Sequence, residues 1–180
     1  MKVVFYPGDF VICKNQTWFL SNAIAALTRE PNERGYSHSL VVVGEGGMEV
    51  DIIQAVFPRV ERITMIKALH TAKYAVCLRP YSATKEQRCK IVTTALEQEN
   101  ALYGLHRLPK LALGLFLKSE EIQELELSPR LPPTCSSLCG LCLQAAGLSW
   151  GEEPASLMAA EMLIYARAHP EMWEIFEVPC

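Results

Sequence analysis

Cys135, Cys139 and Cys142 fall within eight positions of one another in "TCSSLCGLC" and are three of the chain's seven cysteines. Three chemistries suit such a group. The C-x3-C-x2-C spacing offers three thiolates to an iron–sulfur cluster with one open iron. The C-x-x-C pair Cys139 and Cys142 offers a dithiol–disulfide couple. A single cysteine offers a nucleophile, provided that its thiolate forms at neutral pH and that a base stands near it.

The flanking residues separate the three thiols. Pro132 and Pro133 keep helix from running upstream, Thr134 can cap, and the pattern predicts a helix from near Thr134 to near Gly147. Positions 135, 139 and 142 are then i, i+4 and i+7, one helical face. Cys139 and Cys142, with Leu138, are expected in the core, where a free cysteine behaves as a small hydrophobe. Cys135 lies in the first turn, where free amides and the positive end of the helix dipole favour an anion. The blander alternative is a structural cysteine in a capped helix. The cluster spacing is that of radical S-adenosylmethionine enzymes, but 38 residues after Cys142 are too few for the barrel that follows their motif. The redox motif needs its first thiol exposed at a helix start, whereas Cys139 is predicted inside one. The expectation is a protein without metal or organic cofactor.

A nucleophilic thiol needs a base. His70 and His106 stand in polar contexts, and His169 ends a predicted helix beside Pro170. His38 instead opens the apolar run "SHSLVVVG", where a strand start can point an imidazole at a helix N-terminus.

The elements that must position these residues follow from pattern. "DFVIC" after Pro7-Gly8 reads as a strand, and "SHSLVVVGEGG" followed by "MEVDIIQAVF" as a buried strand and hairpin. "YAVCLRP" is a further strand, and "WEIFEV" closes the chain as another. "WFLSNAIAALTR", "LPKLALGLFLKSEEIQELEL" and "PASLMAAEMLIYARAH" read as helices. "SATKEQRCKIVTTALEQENA" is the clearest helix, with Thr84 and Gln87 spaced as a capping box. Strands first, with helices at both ends, predict an α+β fold with an antiparallel sheet. There is no internal repeat or low-complexity tract, and 180 residues suit one domain with a real core. A net charge of −3 with no basic run speaks against nucleic acid. The start lacks the features of a signal peptide, and "LPKLALGLFLK" is too short to span a bilayer. The odd cysteine count then suggests reduced thiols, and a cytoplasmic protein is expected.

Taken together, "PGDFVI", "YSHSLVVVGEG", "VDIIQAV", "VCLRPY" and "TCSSLCGLCL" resemble the permuted branch of the NlpC-type papain-like cysteine hydrolases. The YiiX-like and lecithin–retinol acyltransferase-like proteins belong to that branch, in which the histidine strand precedes the cysteine helix. The resemblance implies a single permuted papain-like domain over 1–180, with an insertion over 103–133 and a C-terminal extension over 150–180. It implies Cys135 as nucleophile, His38 as general base, and a third polar residue on the next strand, which matches Gln54. Glu49 and Asp51 are out of phase with Gln54 along that strand and are expected to face the other way. Asp9 of "PGD" matches the edge of the site, although turn chemistry explains it equally well. Where YiiX-like proteins often carry an acid, two positions after the cysteine, this chain has Ser137; it is assigned with Asp9 to the substrate side. The implied activity is cleavage of an amide, peptide or ester bond through a Cys135 acyl-enzyme. The alternatives are a lipid-directed thiol acyltransferase or phospholipase at a membrane surface, and a catalytically silent binding domain on the same fold. Peptide, isopeptide and lipid acyl substrates all occur among relatives.

Overall fold

The computed structural model describes residues 3–15, 35–104, 132–151 and 157–180. Among these residues six strands form one sheet: β1 (Phe10–Asn15), β2 (His38–Val42), β3 (Asp51–Val56), β4 (Arg59–Thr64), β5 (Ala72–Pro80) and β6 (Trp173–Val178). Their order is β4-β3-β2-β1-β5-β6, and every neighbouring pair is antiparallel. Among the described residues four helices accompany the sheet: α1 (Met65–Leu69), α2 (Lys85–Glu97), α3 (Cys135–Ala145) and α4 (Ala159–Ala168). The fold is therefore α+β with helices packed on an antiparallel sheet. The helices expected over 18–29 and 108–127, together with His106 and most of the 103–133 insertion, lie outside the described residues.

The strands are apolar on alternate positions, and the sheet buries both sides of its centre. Phe10, Ile12, Val41, Ile53, Val76 and Leu78 pack under the helices against Ile91 and Ala95 of α2, Leu138 and Leu143 of α3, and Leu163 of α4. Val11, Leu40, Val42, Ile52, Ala75 and Cys77 form a second cluster with Phe5, Val50, Met65 and Leu69. Each fully buried Leu or Ile contributes about 1.5–3 kcal/mol of transfer free energy. Strand β2 is buried along its whole length, which explains its near-continuous apolar run. Beyond α3, Trp150 stacks on Trp173 at 4.0 Å between ring centroids, and Phe10 meets both edge-on. This aromatic group joins the last strand to β1. Strand β6 pairs with β5 from Ala75↔Val178 to Pro80↔Trp173, so the C-terminal residues are an integral edge of the sheet.

Two features went unread in the sequence. Arg59–Thr64 is a strand hairpinned onto β3 in full register, from Asp51↔Thr64 to Val56↔Arg59. Helix α1 follows it directly, with Met65 and Leu69 buried.

Candidate functional site

Helix α3 begins at Cys135, as its capping residues dictate. The Thr134 hydroxyl accepts from the Ser137 amide, and the Ser137 hydroxyl binds back to the Thr134 amide at 2.8 Å. The cap leaves Cys135 as the first helical residue, 5% exposed. Helix α3 packs on β2 and β3 through Leu138, Cys139, Cys142 and Leu143. That packing sets the Cys135 thiol over the start of β2, 3.9 Å from the Ser37 carbonyl. The segment feeding α3 is fixed from the other side by Gly104, whose amide donates to the Pro133 carbonyl at 3.0 Å.

His38 is the first residue of β2 and is buried, and its imidazole and the Cys135 thiol are near enough for each to shift the other's pKa. Its Nε2 lies 2.8 Å from Oε1 of Gln54. An amide oxygen only accepts, so Nε2 carries the proton and donates, and Nδ1 is the nitrogen left for the thiol. The Gln54 Nε2 in turn donates to Oε1 of Glu61 at 2.8 Å. A continuous polar chain therefore runs Cys135, His38, Gln54, Glu61 from helix α3 across β2, β3 and β4.

The two reactive groups shift each other in opposite directions. Burial alone would raise the Cys135 pKa, but the hydrogen bond and charge of His38, joined by the Ser39 and Ser136 backbone amides, bring it below the ordinary thiol value. Burial would lower the His38 pKa, but the hydrogen bond and charge of Cys135, then Gln54, then the charge of Glu61, hold it above the ordinary imidazole value. These directions favour a thiolate–imidazolium pair. Burial pushes the thiols of Cys139 and Cys142 well up, so they stay neutral. The three clustered cysteines are thus one ionisable thiol and two core residues.

Two residues assigned to the substrate side are placed otherwise. Ser137 is 1% exposed and spends its hydroxyl on the Thr134 cap, which makes it a helix-start residue. Asp9 precedes β1 at the end that runs beside Val41 and Val42, whereas His38 pairs with Cys13 at the opposite end. Asp9 is fully buried, accepts from the Tyr6 amide at 2.9 Å, and pairs with Arg79 and Arg88. Of the acids near Gln54, Asp51 turns outward to Arg62 at 2.6 Å, and Glu49 lies in the turn between β2 and β3.

Glu61 and Tyr103 belong to the site's surroundings and were missed in the sequence. Tyr103 is buried, and burial together with the charge of Cys135 raises its phenol pKa. Glu61 was legible in principle, because a hairpin closed at Phe57-Pro58 sets position 61 opposite position 54.

No protein-family model matches the chain. The search of curated proteins finds no match. Among solved structures, the fold is similar to the crystal structure of the metalloprotein YiiX, DUF1105, from Escherichia coli O157:H7. The TM-score is 0.57 at 18% sequence identity, over 96% of this chain and 88% of that one. At that identity the likeness is one of fold.

Proposed function

We propose that the protein is a cysteine hydrolase of the NlpC-type, permuted papain-like group, cleaving an amide, peptide or ester bond. The observation that carries this reading is the Cys135–His38–Gln54 chain, with its thiol at a helix start. The structural likeness to YiiX, which the sequence resemblance places in that group, supports it.

In the resting pair the Cys135 proton sits on His38 Nδ1. The thiolate attacks the substrate carbonyl carbon, and the carbonyl π electrons move onto oxygen. The Cys135 backbone amide, free at the first turn of α3, is the natural donor to that oxyanion. Collapse expels the amine or alcohol, which takes the His38 proton, and leaves a thioester. Water then gives a proton to His38 as its oxygen attacks the thioester. Collapse of that second intermediate releases the acid and restores the thiolate–imidazolium pair. Gln54 keeps the imidazole in the tautomer and orientation that each step uses.

YiiX is described as a metalloprotein. Among the described residues no three His, Cys, Asp or Glu side chains converge as metal ligands. Cys135 and His38 are two donors, and the Gln54 amide stands between them and Glu61. These residues do not fit a metal centre, and the mechanism runs through the thiol.

Among the described residues no helix is long and apolar enough to cross a membrane. The stretch that would favour a lipid substrate, "LALGLFL", lies outside the described residues.

The test is covalent capture. A peptide or ester carrying an electrophilic acyl group should leave one acyl adduct on Cys135 of the wild-type chain and none on Cys135→Ala. Failure of a panel of amide and ester electrophiles to acylate Cys135 would return the fold to the binding-domain reading.

A further inference from the structure

We propose that Glu61 is a positioning residue for this reaction. It fixes the Gln54 amide so that only its oxygen faces His38, and so gives a neutral amide part of the effect of a carboxylate. The inference rests on the reading of Cys135 and His38 as nucleophile and base.

A glutamine beside a histidine is ambiguous by nature, since its oxygen and its NH2 occupy almost the same shape. If the NH2 faced Nε2, that nitrogen would have to accept. The ring proton would then sit on Nδ1, against the thiol, and the base would be lost. Glu61 removes the ambiguity. An ionised carboxylate only accepts, so the Gln54 NH2 is committed to it at 2.8 Å. The oxygen is thereby turned to His38, also at 2.8 Å.

The backbone supports this division of roles. Gln54 and Glu61 are direct cross-strand partners in β3 and β4, a relation that holds the two side chains together on one face. Gln54 is 6% exposed and Glu61 is half-buried, so water competes little for the amide. The neighbouring acid, Asp51, is instead spent on Arg62 at the surface. The Glu61 charge also contributes to holding the His38 imidazolium. An amide polarised by a carboxylate on one side is a better acceptor on the other.

Among the described residues the titratable groups around the pair, besides Glu61 itself, are Cys13, across from His38 on β1, Cys139 on α3, and Tyr103. Burial holds all three above their ordinary values, so none ionises near neutral pH. A profile between about pH 5 and pH 9 therefore reports on Cys135 and His38.

The readout is the second-order rate of iodoacetamide alkylation at Cys135, followed by mass spectrometry in a background with Cys89 and Cys180 changed to Ser. In Glu61→Gln the new amide can donate or accept, and the Gln54 orientation becomes degenerate. The Cys135 rate at pH 7 should fall about tenfold, with its acid limb moved upward by about one pH unit and the melting temperature nearly unchanged. In Gln54→Glu the carboxylate meets His38 directly, and Glu61 becomes a like-charged neighbour. There Glu61→Gln should raise the rate, so the effect of one substitution changes sign between the two backgrounds. If Gln54→Glu does not fold, Glu61→Lys decides. A lysine donates, pulls the Gln54 oxygen away from His38, and should cost more than Glu61→Gln. A Glu61→Gln profile that overlays the parent's, or an equal loss in both backgrounds, overturns the inference while leaving the nucleophile in place. A parent whose Cys135 reacts no faster than buried Cys139 overturns the thiolate reading and the inference with it.

Discussion

Arg79 holds the buried Asp9 carboxylate side-on, with its Nε 3.1 Å from both oxygens and its second NH2 group 2.9 Å from one of them. Arg88 adds a third arm at 3.3 Å and ties the loop before β1 to helix α2. Side-chain exposure is 0% for Asp9 against 15% and 21% for the two arginines, so the carboxylate is the fully dehydrated partner. Changing Asp9 to Asn takes the anion from Arg88 and leaves Arg79 with only the exposed Glu174, 3.2 Å away. We expect a loss of about 3 kcal/mol, read as a shift of the urea midpoint. Because Asp9 lies at the far end of β2 from His38, the Cys135 alkylation rate per folded molecule should not change. A loss of rate without a loss of stability would put Asp9 back at the site.

Gly104 is required by a close approach of two backbones. A Cβ on it would lie 2.4 Å from the Pro132 carbonyl oxygen and 3.2 Å from the Pro133 carbonyl carbon. Both contacts are backbone atoms and cannot swing aside. Gly104→Ala should therefore cost about 1–3 kcal/mol and displace the segment that starts α3. Hydrogen exchange should show the loss of protection concentrated at Thr134–Leu138, with β5 and β6 unaffected.

The cap of α3 links stability to chemistry. Thr134→Ala removes the acceptor for the Ser137 amide and the Thr134 hydroxyl's bond to the Ser137 hydroxyl, while the bond from the backbone amide at 134 to that hydroxyl stays. About 1 kcal/mol of stability should go with it. Thr134→Ser keeps the hydroxyl and should stay close to wild type, a comparison that thermal melting can make directly.

The parts of the site read from sequence were those set by local rules. Two prolines and a threonine fix where α3 starts, and an apolar run fixes β2 behind His38. Strand phase separates Gln54 from Asp51. What sequence reading lost depended on partners distant in the chain or on an unread turn. Asp9 takes its role from Arg79 and Arg88, 70 and 79 positions away, so no local pattern marks it. Ser137 looked chemical two places after the cysteine, yet it occupies the position where a capping box usually has Glu or Gln, and a shorter hydroxyl serves there. Glu61 was hidden because "RVERIT" carries charges at Arg59, Glu61 and Arg62, as an edge strand can, and Pro58 reads as a stop. Once β4 is missed, the polar chain ends at a neutral amide, and the carboxylate behind it goes unseen.

The three clustered thiols should separate cleanly in a pH experiment. The folded pKa of Cys135 is lowered, so its thiolate adds stability above the ordinary thiol range, and this is lost as pH falls through the lowered value. The folded pKa of His38 is raised, so its imidazolium adds stability below the ordinary imidazole range, lost as pH rises through the raised value. Between those two limits the ion pair is intact, and Cys135 should alkylate fastest of the three. Cys139 and Cys142 should remain unmodified until the protein unfolds, because burial holds both thiols up and keeps them from reagent. Cys135→Ala should abolish acylation and remove the pH-dependent part of stability, with little loss of packing. Cys139→Ser should do the reverse, costing about 1–3 kcal/mol for a buried hydroxyl while leaving the Cys135 rate unchanged in the folded protein. Stability curves of the two variants against pH, set beside the alkylation rates, measure both halves. If Cys139→Ser silences Cys135 in a folded protein, or Cys135→Ala leaves the pH dependence in place, the division of the cluster into one reactive and two structural thiols is wrong.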